Sequence, residues 1–182
     1  MAKDLIFAVI SGSLRKESYS TKVAQSLADL VPEGVAVEHL SIDEIPFYNE
    51  DLKSGDTSPD PVRTLAAKIK EADGVVICSP EYNRGTSGVL KNTIDWMSKE
   101  PNSPFSGKPT LIITQSPSGT GGLCAQYDLR KMLSVINTEI VPGFEISISS
   151  SPDKINDGKL THDNTKEFIA DNLSRLANRI RG

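Results

Sequence analysis

The chain has 182 residues, 37% of them hydrophobic and 24% charged, with a formal net charge of −4. That is long and apolar enough for one domain, spanning residues 1–182, with a full core. The mild acidity and the lack of any basic block exclude a nucleic-acid surface, and the longest early apolar run, Leu5 to Ile10, is too short for a membrane span or signal core, so a cytoplasmic protein without membrane attachment is expected.

Leu5 to Ile10 is continuously apolar, as a strand buried on both faces should be. It runs into Ser11-Gly12-Ser13-Leu14-Arg15-Lys16-Glu17-Ser18-Tyr19-Ser20-Thr21, a hydroxyl-rich loop that leads to a helix with Ala24, Leu27, Ala28 and Val31 on one face. Free N–H groups, a helix dipole and the Arg15 guanidinium together make an anion site, most naturally for a phosphate. Gly12 stands alone, so neither the dinucleotide fingerprint nor the P-loop is matched. Val35 to Leu40 is a short second strand, followed by a long polar connection, Ser41 to Asp60. Within it, Phe47 and Tyr48 are read either as lining a pocket or, the preferred reading, as packing the loop against the sheet. Pro61 then opens a helix with Val62, Leu65, Ala66 and Ile69 facing inward.

Val75-Val76-Ile77-Cys78 is the third strand, and it ends in Ser79-Pro80-Glu81-Tyr82-Asn83-Arg84-Gly85-Thr86-Ser87-Gly88. Pro80 stops the strand, while Gly85 and Gly88 allow close backbone approach. Such a loop can offer backbone amides and an aromatic ring to a flat heterocycle. A helix from Ser87 to Met97 follows and holds Trp96, read as a buried anchor. Thr110 to Thr114 is the fourth strand, ending in the flexible stretch Gln115-Ser116-Pro117-Ser118-Gly119-Thr120-Gly121-Gly122. A helix carrying Ala125, Leu129, Met132, Leu133 and Ile136 leads to a fifth strand, Glu139 to Ile148. After a polar excursion, a last helix from Thr161 aligns Ile169, Leu173, Leu176 and Ile180. Cys78 and Cys124 make no disulfide framework. His39 and His162 have no ligand-like spacing, so no metal is expected.

This alternation predicts an α/β protein, a doubly wound five-stranded parallel sheet in the flavodoxin-like order 2-1-3-4-5 with helices on both faces. In that order the loops after strands one, three and four converge on the switch point. One offers a phosphate site, one an aromatic ring and amides, and one glycines with Ser116 and Ser118. A ligand with one phosphate end and one flat polar end fits, and flavin mononucleotide (FMN) is of that kind. No catalytic triad or paired carboxylate sits where the strands end, consistent with chemistry left to a cofactor.

On these residues the chain resembles the NADPH-dependent FMN reductase family, in its chromate/quinone reductase branch. The resemblance rests on Gly12-Ser13-Leu14-Arg15-Lys16 with Ser18, and on Pro80-Glu81-Tyr82-Asn83 with Gly88-Val89-Leu90-Lys91-Asn92 and Ile94-Asp95-Trp96. Gly121-Gly122, Gln126-Tyr127 and Leu129-Arg130 make a weaker third match. It implies non-covalent FMN, NADPH or NADH as co-substrate, and a homodimer or homotetramer. It also implies hydride passed through flavin N5 to a small-molecule acceptor: a quinone, a flavin, an azo compound or a metal oxyanion such as chromate. By the same resemblance Ser13, Arg15, Ser18, Tyr19 and Ser20 hold the phosphate. Pro80, Glu81, Tyr82 and Asn83 line the isoalloxazine ring, and Ser116, Ser118 and Gly119 close the opposite side. Glu81 is expected to act through backbone and subunit contacts rather than as an acid, so no side chain is assigned a catalytic role. The family often has Asn at Ser20 and Pro at Ser87, and related sequences often have Arg at Cys124. Arg84 is read either as a partner for the 2′-phosphate of NADPH or as a solvated charge. The alternative reading is a flavodoxin-type electron carrier or a flavin redox sensor that does not oxidise NAD(P)H itself.

Overall fold

A computed structural model describes residues 4–182. Strands β1 (Leu5–Ser11), β2 (Val35–Leu40), β3 (Gly74–Pro80) and β4 (Pro109–Gln115) form a parallel sheet completed by β5 (Glu139–Ile140) and β6 (Ile146–Ile148), in the order β2-β1-β3-β4-β5, with β6 also paired to β4. The helices are α1 (Tyr19–Ser26), α2 (Asp60–Glu71), α3 (Gly88–Lys99), α4 (Leu123–Val135), the one-turn α5 (Ser151–Lys154) and α6 (Asp163–Arg181). A small antiparallel pair, β7 (Ile155–Asn156) with β8 (Lys159–Leu160), precedes α6.

The period of two along each strand splits the core cleanly. Phe7 and Val9 of β1 point to one face with Val76, Cys78 and Ile113, and are covered by Val23, Ala24 and Leu27 and by Ile169, Leu173 and Leu176 of α6. Ala8 and Ile10 point to the other face with Val75, Ile77 and Ile112, under the apolar stripes of α2, α3 and α4. Burial on both faces is why these strands read as unbroken apolar runs. Burial also pushes the Cys78 thiol well above its ordinary pKa, so it stays protonated inside the core.

Two elements differ from expectation. Helix α1 ends at Ser26 in a tighter turn, Leu27–Asp29, which leaves Ala28 exposed. The expected fifth strand is two short strands. The Val141 amide still donates to Thr110 O at 2.9 Å, but Pro142 then has no N–H to give and Gly143 turns at φ 148°. Gln126, fully buried on α4, ties β4 to the start of β6 just past this break: its Nε2 donates to Ile112 O at 3.1 Å and Ile146 O at 3.4 Å. Among the described residues no helix is long and apolar enough to cross a membrane, and no group of three metal-ligating side chains occurs.

Candidate functional site

The loops after β1, β3 and β4 meet at the carboxyl end of the sheet. The first is pinned at Gly12. Its N–H donates to Cys78 O at 2.8 Å, and its carbonyl accepts from the Ser87 hydroxyl at 2.5 Å. A Cβ at Gly12 would lie 3.0 Å from Leu90 and 3.4 Å from Pro80, so any side chain here would press on Leu90 where the loop passes α3. The same Ser87 hydroxyl accepts from the Leu90 amide at 3.3 Å, capping α3. Ser18 caps α1 in the same way, accepting from the Thr21 amide at 3.4 Å. The remaining first-turn amides of α1 have no intrahelical acceptor and face the loop with Arg15, whose guanidinium lies 5.7 Å from the centre of the Tyr19 ring.

The second loop closes as a tight hairpin. Tyr82 and Gly85 exchange both backbone hydrogen bonds at 2.9 and 3.0 Å, and Asn83 and Arg84 between them take φ 49° and 65°. Left-handed backbone at both central positions is the type I′ turn, which holds Tyr82 at the rim with 49% of its surface exposed. Glu81 turns away from the opening, its Oε2 accepting from the Ala125 amide at 3.1 Å. Helix α4 begins at Gly122, which has no side chain to cap it, so the Glu81 carboxylate supplies the cap and favourable charge from a neighbouring loop. Thr86 N donates to Asp128 Oδ2 at 3.1 Å, tying the second loop to α4 again. The Lys131 ammonium beside it, 2.8 Å away, with the Thr86 amide, holds the Asp128 carboxyl below its ordinary range. Arg84 reaches back to Cys124, with Nη1 4.0 Å from the sulfur.

The third loop is a chain of hydroxyls. Ser116 and Ser118 Oγ are 2.9 Å apart, as are Ser118 Oγ and Thr120 Oγ1. Its return is set by Gly121 at φ 64°, where a Cβ would lie 2.7 Å from the Ser147 carbonyl.

Between the first and third loops lies a cavity of about 130 Å³ lined by Ser13, Arg15, Ser18, Tyr19, Pro80, Glu81, Tyr82, Gln115 and Pro117. Next to it, sharing Ser13, Arg15 and Tyr82 as a wall, is a more apolar depression of about 340 Å³ lined also by Leu14, Phe47 and Val89.

A family model described as NADPH-dependent FMN reductase matches residues 6–153. The chain belongs to that family. An NAD(P)H-dependent FMN reductase of Pseudomonas aeruginosa is 38% identical over 186 residues, covering 100% of each chain. A quinone reductase of Escherichia coli is 42% identical over 142 residues, covering 78% of this chain and 76% of its own. Among solved structures, the flavoenzyme NAD(P)H:(acceptor) oxidoreductase FerB of Paracoccus denitrificans superposes with a TM-score of 0.86 at 31% identity, covering 97% of each chain. Membership makes the protein an NAD(P)H-dependent oxidoreductase that works through FMN.

The cavity's chemistry fits such a cofactor. The phosphate end has Arg15 and the amides of α1. Gln115 supplies a second, independent sign of a missing partner: it is buried, its Nε2 donates to Ser20 Oγ at 2.9 Å, and its Oε1 finds no hydrogen-bond partner among the described residues. An unmet buried acceptor is costly, and a hydroxyl-bearing chain running from phosphate to ring would satisfy it.

Of the residues expected at the site, Ser13, Arg15, Ser18, Tyr19, Pro80, Glu81 and Tyr82 line the cavity. Ser20 departs from expectation. Its side chain is fully buried against Gln115, because Ser20, Val23, Ala24 and Leu27 share the inward stripe of this turn of helix, so toward an anion it has only its backbone amide. Asn83 sits within the hairpin turn, and Ser118 and Gly119 lie exposed beyond the cavity wall, while Ser116 is largely buried. Sequence reasoning put Gln115 at the head of the flexible third loop and gave it no role, whereas it is the last residue of β4 and part of the cavity lining.

Proposed function

We propose that this protein oxidises NAD(P)H and reduces quinones or free flavins at one FMN-binding site formed within residues 1–182, acting in the cytoplasm as a homodimer or homotetramer. The observation that carries the site is the meeting of Arg15, the first turn of α1 and Gln115, whose side-chain Oε1 has no hydrogen-bond partner among the described residues, around one cavity at the sheet's switch point. FMN, when bound, supplies an acceptor of hydride from the nicotinamide that can pass electrons onward. The net change is balanced as NAD(P)H plus a proton plus quinone giving NAD(P)⁺ plus hydroquinone. The chain's own residues bind and orient. Arg15, Ser13, Ser18, Tyr19 and the Ser20 amide hold the phosphate. Pro80, Tyr82 and Asn83 support the ring from the second loop, with Glu81 holding that loop to α4. Ser116, Ser118 and Gly119 bound the other side. Azo compounds and metal oxyanions such as chromate belong to the same reading as further acceptors.

The test is an anaerobic absorbance titration of the purified protein with FMN, then one equivalent of NADPH or NADH. A flavin band that shifts on binding and bleaches within seconds supports the reading. Flavin that binds but stays oxidised with both nucleotides overturns it in favour of an electron carrier or redox sensor.

A further inference from the structure

Phe47 is the most conspicuous apolar side chain near the site, with 83% of its surface exposed. The reading in which it packs the long loop onto the sheet is not met: its neighbours hold the loop, and they hold it to α3. The Pro46 carbonyl accepts from Asn92 Nδ2 and from Trp96 Nε1, both at 2.8 Å. The Tyr48 amide donates to Asn92 Oδ1 at 2.7 Å, and the Tyr48 ring meets Trp96 edge-on at 4.9 Å. Trp96 is fully buried in α3. Both flanks of Phe47 are therefore clamped to α3, which fixes the backbone from which the exposed ring projects. The ring stands at the lip of the 340 Å³ depression. Leu14, 53% exposed, and Tyr82 reach it from two other loops. Gly88 leaves its floor open, with nothing within 4 Å of where a Cβ would stand. Arg15 is the only charged side chain in the lining.

Three exposed apolar side chains from three loops, converging on one recess beside the cofactor cavity, are costly to leave in water and suited to a flat, neutral ring. We infer that Phe47 is a specificity-determining residue: a preset platform that seats the ring of quinoid acceptors and gives nothing to small anionic ones. This rests on the proposed function above and deepens it, by naming the residue that separates two classes of acceptor. The electrons and the hydride still come from NAD(P)H. The platform changes which acceptor is seated, not the reaction's balance.

The experiment compares the FMN-loaded wild-type protein with Phe47→Ala, Phe47→Trp and, as a control, Phe144→Ala, whose ring is 78% exposed outside either lining. Turnover is measured with menadione and with ferricyanide, and contact with menadione is read separately by saturation-transfer NMR. Phe47→Ala should lower kcat/KM for menadione about tenfold relative to ferricyanide, chiefly through KM, and weaken the saturation transfer. Phe47→Trp should restore both, and Phe144→Ala should move neither. Equal loss with both acceptors, or no change in their ratio, overturns the inference. So does a shift of Phe47→Ala to a smaller species in gel filtration, which would place a second copy of the chain on the ring. Flavin occupancy is read from the absorbance spectrum and menadione contact from NMR, so failure of the FMN reading is seen apart from failure at Phe47.

Discussion

Arg15 is where charge and ligand chemistry are most directly coupled. Its guanidinium stands over Tyr19 at the mouth of the α1 amides. Removing it should matter only to a ligand that carries a phosphate. Arg15→Ala is expected to weaken FMN binding by about 10- to 100-fold, the worth of a charge-assisted hydrogen bond, while leaving riboflavin binding nearly unchanged. Parallel fluorescence titrations with the two flavins check this, and equal losses would remove Arg15 from the phosphate site. Asp128 gives a second residue-scale prediction, in pH. The Lys131 ammonium and the Thr86 amide hold its folded pKa below the ordinary 3.8. Its contribution to stability is thus fully present above pH 3.8 and is lost as the pH falls through the lower folded value. Asp128→Asn should therefore be less stable than wild type at pH 7, and the gap should narrow below about pH 4 in urea melts. A gap independent of pH would mean that the ion pair contributes nothing. At this scale the sequence was only partly legible. Arg15 could be singled out because a guanidinium at a helix start points to an anion by chain-local chemistry, whereas Ser18 was named only by the family resemblance. The inward turn of Ser20 is written in the spacing of Ser20, Val23, Ala24 and Leu27, but Ser20 was placed at the phosphate by the family resemblance. Gln115 and Phe47 depend on partners 95 and 44 or more residues away, Ser20 for one and Asn92 with Trp96 for the other.

The elements around the site are tied to each other by shared caps and one close backbone approach. Helix α4 takes its cap from Glu81, α3 shares the Ser87 hydroxyl with Gly12, and the turn into α4 passes against the end of β6. Gly121 is the tightest of these contacts. Alanine there would combine a left-handed backbone with overlap of the Ser147 carbonyl and the Ser149 amide, the latter at 2.8 Å. Gly121→Ala is expected to cost at least about 2 kcal/mol. In a chain of this length that lowers the midpoint of thermal unfolding by about 4 °C or more. Gly119→Ala, where the Cβ meets nothing within 4 Å, is the matched control and should melt within about 1 °C of wild type. Strands β1, β3 and β4 were legible because burial on both faces writes itself as an unbroken apolar run. The interruption of the last lane was not, although Pro142-Gly143 stood inside the expected strand. Apolar residues on either side of the break, Val141 and Ile146, masked a position where no ladder hydrogen bond is available.

For the whole molecule, the proposed cofactor cavity and the proposed acceptor recess both lie at the carboxyl end of the sheet and share a wall. Reductant and acceptor are then expected to use the same opening in turn. Steady-state rates with NADPH and menadione varied together should give parallel double-reciprocal lines, and lines converging to the left of the axis would require both substrates to be bound at once. The three-layer architecture was readable from the β-α alternation alone, because parallel strands demand crossover helices and those helices must cover both faces. The split lane of β5 and β6 has a consequence away from the site. It is an outer margin of the sheet, and a margin normally offers a row of unmet backbone donors and acceptors to any passing chain. Here that row is cut into stretches of two and three residues by a proline that lacks a donor. A strand from another molecule finds no continuous ladder to extend, which protects the protein from templated fibre growth along that side.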